Sequence, residues 1–102
     1  MKTRALLRTW HGKVRVYESI KEASEDAWID VGAIERAIEK GKGWRWVKRV
    51  YAVQTKDGRE VLSYADISGS KWWFPVDGSA LRKKDTIAWK DVTEEYYLAR
   101  EL

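Results

Sequence analysis

A chain of 102 residues, 44% of them hydrophobic, supports a single hydrophobic core, so no separate catalytic domain is expected beside it. The absence of cysteine excludes disulfides, thiolate nucleophiles and Cys-based zinc sites, and it suits a reducing compartment such as the cytoplasm. The net charge of +4 is modest but concentrated: over 36–49 the cations Arg36, Lys40, Lys42, Arg45, Lys48 and Arg49 meet only one acid, Glu39.

The opening MKTRALLRTWHGK has only ALL as an apolar centre, too short for a secretory signal. No apolar run approaches the ~20 residues that span a bilayer, so a protein of the cytoplasm with no membrane partner is expected. KVRVY, over 13–17, alternates polar and apolar residues and reads as a half-buried strand with Val14 and Val16 inward.

The stretch SIKEASEDAWIDVGAIERAI, over 19–38, allows one helix or two. Ile20, Ala23, Ala27, Val31, Ile34 and Ile38 form a single helical stripe, which favours continuity. Ile29 opposes it, because nine residues after Ile20, at ~100° per residue, it would project from the opposite side into water. Burying it instead is worth ~1.5–3 kcal/mol, and Gly32 inside a helix costs about 1 kcal/mol relative to alanine. A break between Trp28 and Gly32 relieves both. Capping agrees with two starts: Ser19-x-x-Glu22 is a capping box, with the serine accepting from the Glu22 amide and the glutamate reaching back to the Ser19 amide. Asp30 suits a second N-cap, and Gly41 suits a C-terminal stop.

Beyond Gly41, β-branched and aromatic residues flank Asp57-Gly58, which suits a tight hairpin turn between strands over 44–54 and 60–64. In the first strand Trp44, Trp46, Lys48, Val50 and Ala52 share one face, and Arg45, Val47, Arg49, Tyr51 and Val53 the other. Turn signals at Ser68-Gly69 and Asp77-Gly78 bracket the aromatic run Lys71 to Phe74. Pro75 places that run at a sheet edge or in a loop. The final segment from Asp85 reads either as a strand ending near Trp89 or as a short helix capped by Asp91-x-x-Glu94.

Seven tryptophans in so small a chain point to a compact aromatic core. Adjacent tryptophans on a strand face opposite sides, so one of Trp72 and Trp73 is expected to be exposed. Beside Lys71 it could stack on unpaired bases or meet a protein.

The segment VYESIKEASEDAWIDVGAIERAIEKGKGWRW resembles the nuclease-associated modular DNA-binding repeats of homing endonucleases and phage proteins. Tyr17, Ser19, Ile20, Lys21, Glu22, Ala23, Ile29, Ile34, Gly41, Lys42 and Trp46 carry the likeness, which covers 13–48, about a third of the chain. Trp28 stands where the family has a turn glycine, and Asp30 where it has a serine cap. The segment after the second helix is shorter than the family's. The resemblance implies a helix-turn-helix whose second helix and following basic segment contact DNA.

Catalytic motifs are sparse. His11 is the lone histidine and stands near the N-terminus, which leaves no Ser-His-Asp or His-paired metal arrangement. Neither a histidine-rich nor a Gly-Ile-Tyr nuclease motif occurs, and Asp26 with Asp30, or Glu94 with Glu95, read as surface acids rather than Mg²⁺ ligands. Gly41 and Gly43 do not form a phosphate-cradling loop.

The expectation is therefore one α+β domain over 1–102: an N-terminal strand and helix-turn-helix over 13–48, packed on a small antiparallel sheet, with a β-rich remainder over 49–102 that ends in strand or short helix. It binds duplex DNA without catalysis, metal, cofactor or small-molecule substrate. Arg36, Lys40 and Lys42 reach bases or phosphates, Arg45, Lys48 and Arg49 contact phosphates from the following strand, and Lys21 touches the backbone. The rival expectation is a protein-interaction or assembly module, with Trp72 or Trp73 at the contact.

Overall fold

A computed structural model describes residues 2–65 and 71–101; the Ser68-Gly69 turn signal lies outside them. The fold is α+β and divides into two compact units: Arg4–Val47 with Glu94–Leu102, and Met1–Thr3 with Lys48–Thr93.

The first unit begins with β1 (Arg4–Trp10) and β2 (Lys13–Tyr17), an antiparallel pair in which Leu6 faces Tyr17 and Trp10 faces Lys13. Only His11 and Gly12 lie between them, with φ of 47° and 72°. This is the two-residue turn whose twist matches paired strands, and it needs positive φ at both positions. Ala5, Leu6 and Leu7 are fully buried in succession, so β1 is covered on both faces. The sequence reading had no strand here, because consecutive apolar residues show no period of two.

Two helices follow, α1 (Ile20–Ala27) and α2 (Val31–Lys40), so the two-helix reading holds. Ser19 Oγ accepts from the Glu22 amide at 3.1 Å, but the Glu22 carboxylate accepts from the Glu18 amide rather than that of Ser19. Asp30 caps α2 by accepting from the Gly32 amide at 3.2 Å, and Gly41 ends it in the left-handed region. The turn starts at Trp28, also left-handed at φ 59°, and is fastened by the Ser24 hydroxyl, which donates to the Ile29 carbonyl at 2.6 Å. Ile29 is partly rather than largely buried, against a core of Leu6, Tyr17, Ala23, Ile34 and Trp44. Both helices thus pack on the sheet formed by β2, β1 and β3 (Trp44–Lys48), in that order. The Tyr17 hydroxyl fixes α1 to β2 by donating to Asp26 at 2.7 Å, and Arg15 pairs with the same carboxylate at 3.3 Å. Burial first, and then the hydrogen bond to Asp26 and its charge, push the Tyr17 hydroxyl above its ordinary pKa.

The second unit is a five-stranded antiparallel sheet, a four-stranded meander with the last strand returning beside the first. Its strands are β4 (Val50–Thr55), β5 (Glu60–Ala65), β6 (Trp72–Pro75), β7 (Leu81–Arg82) and β8 (Thr86–Asp91), in the order β7-β6-β5-β4-β8, with a single 3-10 turn at Lys83–Asp85. The expected strand over 44–54 is instead two strands interrupted at Arg49, which belong to different sheets. The hairpin at Asp57-Gly58 forms, though only Gly58 has positive φ. The Gly58 amide donates to the Thr55 carbonyl and the Thr55 amide to the Arg59 carbonyl, so the connection is a longer turn with the glycine in the left-handed position. β6 lies between β5 and β7 rather than at an edge. The C-terminal segment is not strand or helix but both, β8 and then α3 (Thr93–Glu101). Among the described residues no helix is long and apolar enough to cross a membrane.

Candidate nucleic-acid interface

The solvent side of α2 follows from its core side. Ile34 is fully buried, with Ala37 and Ile38 packed beside it; at ~100° per residue, Gly32, Arg36 and Lys40 fall on the opposite side. Arg36 and Lys40 are exposed. Glu35 and Glu39, also exposed, form a parallel acidic stripe on one flank. The glycine shapes the basic stripe, since a Cβ there would meet Asp30 Oδ2 at 3.2 Å and Arg36 Nη1 at 3.3 Å. The guanidinium therefore lies back along the helix toward its N-terminus, beside the capping carboxylate.

Lys21 on α1, Lys42 after the Gly41 stop and Arg45 on β3 are exposed in the same unit. Arg4 and Arg8 are among the cations of that unit that sequence reading did not single out. Arg4 lies 4.1 Å from the Trp46 ring centroid, and Arg8 lies 4.1 Å from that of Trp10 and 5.3 Å from that of Trp44. Arg4 and Arg8 share one face of β1 with Leu6 and Trp10, a grouping legible only once β1 is known to be a strand.

Lys48 and Arg49 belong to the other unit. Lys48 is exposed, with Nζ 5.2 Å from the Tyr64 ring centroid. Arg49 corrects the expectation of a phosphate contact: it is 7% exposed and donates to Asp91 Oδ2 at 2.6 Å. Its alternation with Lys48 misled because the strand stops between β3 and β4 at this residue.

Nor do the tryptophans form one core. Trp44 and Trp73 are buried, Trp10 and Trp46 are intermediate, and Trp28, Trp72 and Trp89 are exposed. Of the adjacent pair, Trp73 is 1% and Trp72 38% exposed. Trp73 packs with Tyr51 and Trp89 at centroid distances of 5.6 and 6.4 Å, and with Lys83, Thr86, Ile87 and Ala88 it lines an open cavity of about 490 Å³. Trp28, at 93% exposed, is the barest of the large apolar side chains described.

Among the described residues no group of three or more His, Cys, Asp or Glu is placed to hold a metal ion. Asp26 is engaged by Tyr17 and Arg15, and Glu94 Oε2 accepts from the Val16 amide at 3.2 Å. Comparison with protein-family models, curated proteins and solved structures finds no match to this chain.

Proposed function

We propose that the protein binds duplex DNA, without catalysis, through the helix-turn-helix of its first unit. The observation that carries this reading is the stripe of Gly32, Arg36 and Lys40 on the side of α2 away from the buried Ile34, beside the acidic flank of Glu35 and Glu39. Two short helices joined by a three-residue turn suit a helix-turn-helix, in which the second helix lies in the major groove and meets base edges with its N-terminal part while the first crosses the backbone. The Arg36 guanidinium lies at that end, beside Gly32. In this reading Arg36 contacts bases, Lys40, Lys42 and Arg45 contact phosphates, and Lys21 touches the backbone from α1. Arg4 and Arg8 add to the positive field. The setting would be the cytoplasm, consistent with a chain that carries no cysteine.

The test is a titration of the whole chain with duplex DNA across salt concentrations. Three to five neutralised phosphates give a slope of log K against log[salt] of about −3 to −4.5. Absence of binding at low salt would remove the proposal.

One observation favours a second reading, a protein-interaction module on the same scaffold. Trp28 projects into solvent from the turn, near the exposed acids Glu25, Asp26 and Asp30, a setting suited to a cationic protein surface.

A further inference from the structure

The register of the second unit assigns each strand residue to a face, because residues directly opposite one another in paired strands point the same way. One face holds Tyr51, Val53, Ser63 and Trp73, all buried. The other holds Val50, Ala52, Leu62, Tyr64, Phe74 and Trp72, linked by the pairings of Ala52 with Leu62 and of Tyr64 with Val50 and Phe74; Val50 is buried, and the exposure lies toward Leu62, Trp72 and Phe74. A solvent-facing sheet surface is ordinarily polar, yet here Leu62 is 37%, Trp72 38% and Phe74 43% exposed. An exposed apolar patch of this kind marks a contact surface.

Its charges say what it contacts. Arg82, directly opposite Trp72, holds its guanidinium 5.3 Å from that indole centroid. Lys48 Nζ lies 5.2 Å from the Tyr64 centroid, and Lys90, opposite Ala52, shares the same face. Among the described residues Glu60 is the acid on that face, at the far end of β5, opposite Gln54. Trp72 and Phe74 are two residues apart on one strand, which separates them by about 6.6 Å. Exposed rings stepped along a strand with cations beside them match a single-stranded nucleic acid, whose bases stack on the rings while its phosphates meet the cations. Duplex DNA does not fit, since its base faces are hidden in the stack.

We propose that this outer face, with Trp72 and Phe74 as stacking rings and Arg82, Lys48 and Lys90 as phosphate contacts, binds single-stranded nucleic acid. The site lies in a different unit from α2 and stands whether or not the helix-turn-helix binds duplex.

The experiment is fluorescence anisotropy of a labelled oligo(dT) against the whole chain at low salt, in parallel with a duplex of unrelated sequence. The expected result is salt-sensitive binding that weakens roughly tenfold for Trp72→Ala and again for Phe74→Ala, with Trp72→Phe close to wild type. Arg82→Ala should lower the salt slope for oligo(dT) by about 0.7, the single-strand increment. Arg36→Ala and Lys40→Ala, in the other unit, should leave oligo(dT) binding unchanged, while Trp72→Ala leaves duplex binding unchanged. Absence of oligo(dT) binding overturns the proposal, as does equal binding by a Trp72→Ala, Phe74→Ala double variant whose circular dichroism matches wild type. Loss of oligo(dT) binding in Arg36→Ala alone would assign the single strand to α2 and overturn it equally. Concentration-dependent dimerisation abolished by Trp72→Ala, with no oligo(dT) binding, would make the face a self-association surface instead.

Discussion

Arg49 donates to Asp91 across 2.6 Å, and the Asp91 carboxylate also accepts from the amide and hydroxyl of Thr93. The buried Thr93 hydroxyl in turn accepts from the Val50 amide at 3.0 Å, so one carboxylate orders the start of β4, the end of β8 and the start of α3. Arg49→Ala leaves Asp91 short of its cation and is expected to lower stability by about 1.5–3 kcal/mol. The salt slope for duplex DNA should not change. Urea denaturation and the salt titration read the two effects separately, and an unchanged midpoint would show the pair to be structurally idle.

The same carboxylate sets an acid limit. Burial by itself raises the Asp91 pKa, but the Thr93 hydrogen bonds and the Arg49 guanidinium outweigh it and hold the group below the ordinary carboxylate range. A carboxyl depressed in the folded state stabilises that state above its unfolded pKa, about 3.9. The contribution is lost as pH falls through the folded value. Stability should therefore decline below about pH 4, and Asp91→Asn should be less stable at neutral pH with a shallower acid decline. Parallel acid profiles for the two proteins would remove Asp91 as the cause.

Duplex recognition divides between two kinds of residue. Lys42→Ala should weaken all sequences alike and lower the magnitude of the salt slope by about one. Arg36→Ala should instead flatten discrimination among sequences, since a bidentate arginine contact is worth ~1–3 kcal/mol. Competition with a randomised duplex pool measures both, and identical behaviour of the two variants would reduce Arg36 to a phosphate contact.

Trp28 pays twice for its position, with a bulky residue in left-handed backbone and an indole left in water. The left-handed conformation costs an L-residue about 1–2 kcal/mol; glycine removes that strain but loses part of the gain to its freer unfolded chain. Trp28→Gly should thus match or exceed wild-type stability by up to about 1 kcal/mol. A loss larger than that in urea denaturation would reveal packing by the indole.

The tryptophans also separate by accessibility. Single Trp→Phe variants titrated with acrylamide should show Trp28 contributing the most quenchable emission and Trp73 the least, with Trp44 close to Trp73. A Trp73 as quenchable as Trp28 would contradict the packing of the second sheet.

The helices were legible because their determinants are local: Ser19, Asp30 and Gly41 act within one turn, and Ile29 forces the break. The strands were legible where polar and apolar residues alternate, as in β2, and hidden where they do not, as in β1. The pairing of β4 with β8 depends on residues 31 to 40 positions apart, and no local pattern announces it. Arg49 shows the same limit at the site. Its charge was visible, but the Asp91 that neutralises it lies 42 residues away. The exposed aromatic face needed the register between β5 and β6 before Leu62, Tyr64, Phe74 and Trp72 could be placed together.

The two units do not divide the chain at one cut. Residues before β1 complete the sheet-rich unit, where the Tyr51 hydroxyl donates to the Lys2 carbonyl and the Arg49 amide to that of Thr3. Residues after Thr93 complete the helical one, where Glu94 receives the Val16 amide. Each unit borrows its last piece from the far terminus of the other, so fragments 1–47 and 48–102 would each lack a native segment. Mixing the two fragments should restore what neither folds alone, and during synthesis the helical unit cannot be whole until residues 94–101 have followed the sheet-rich one.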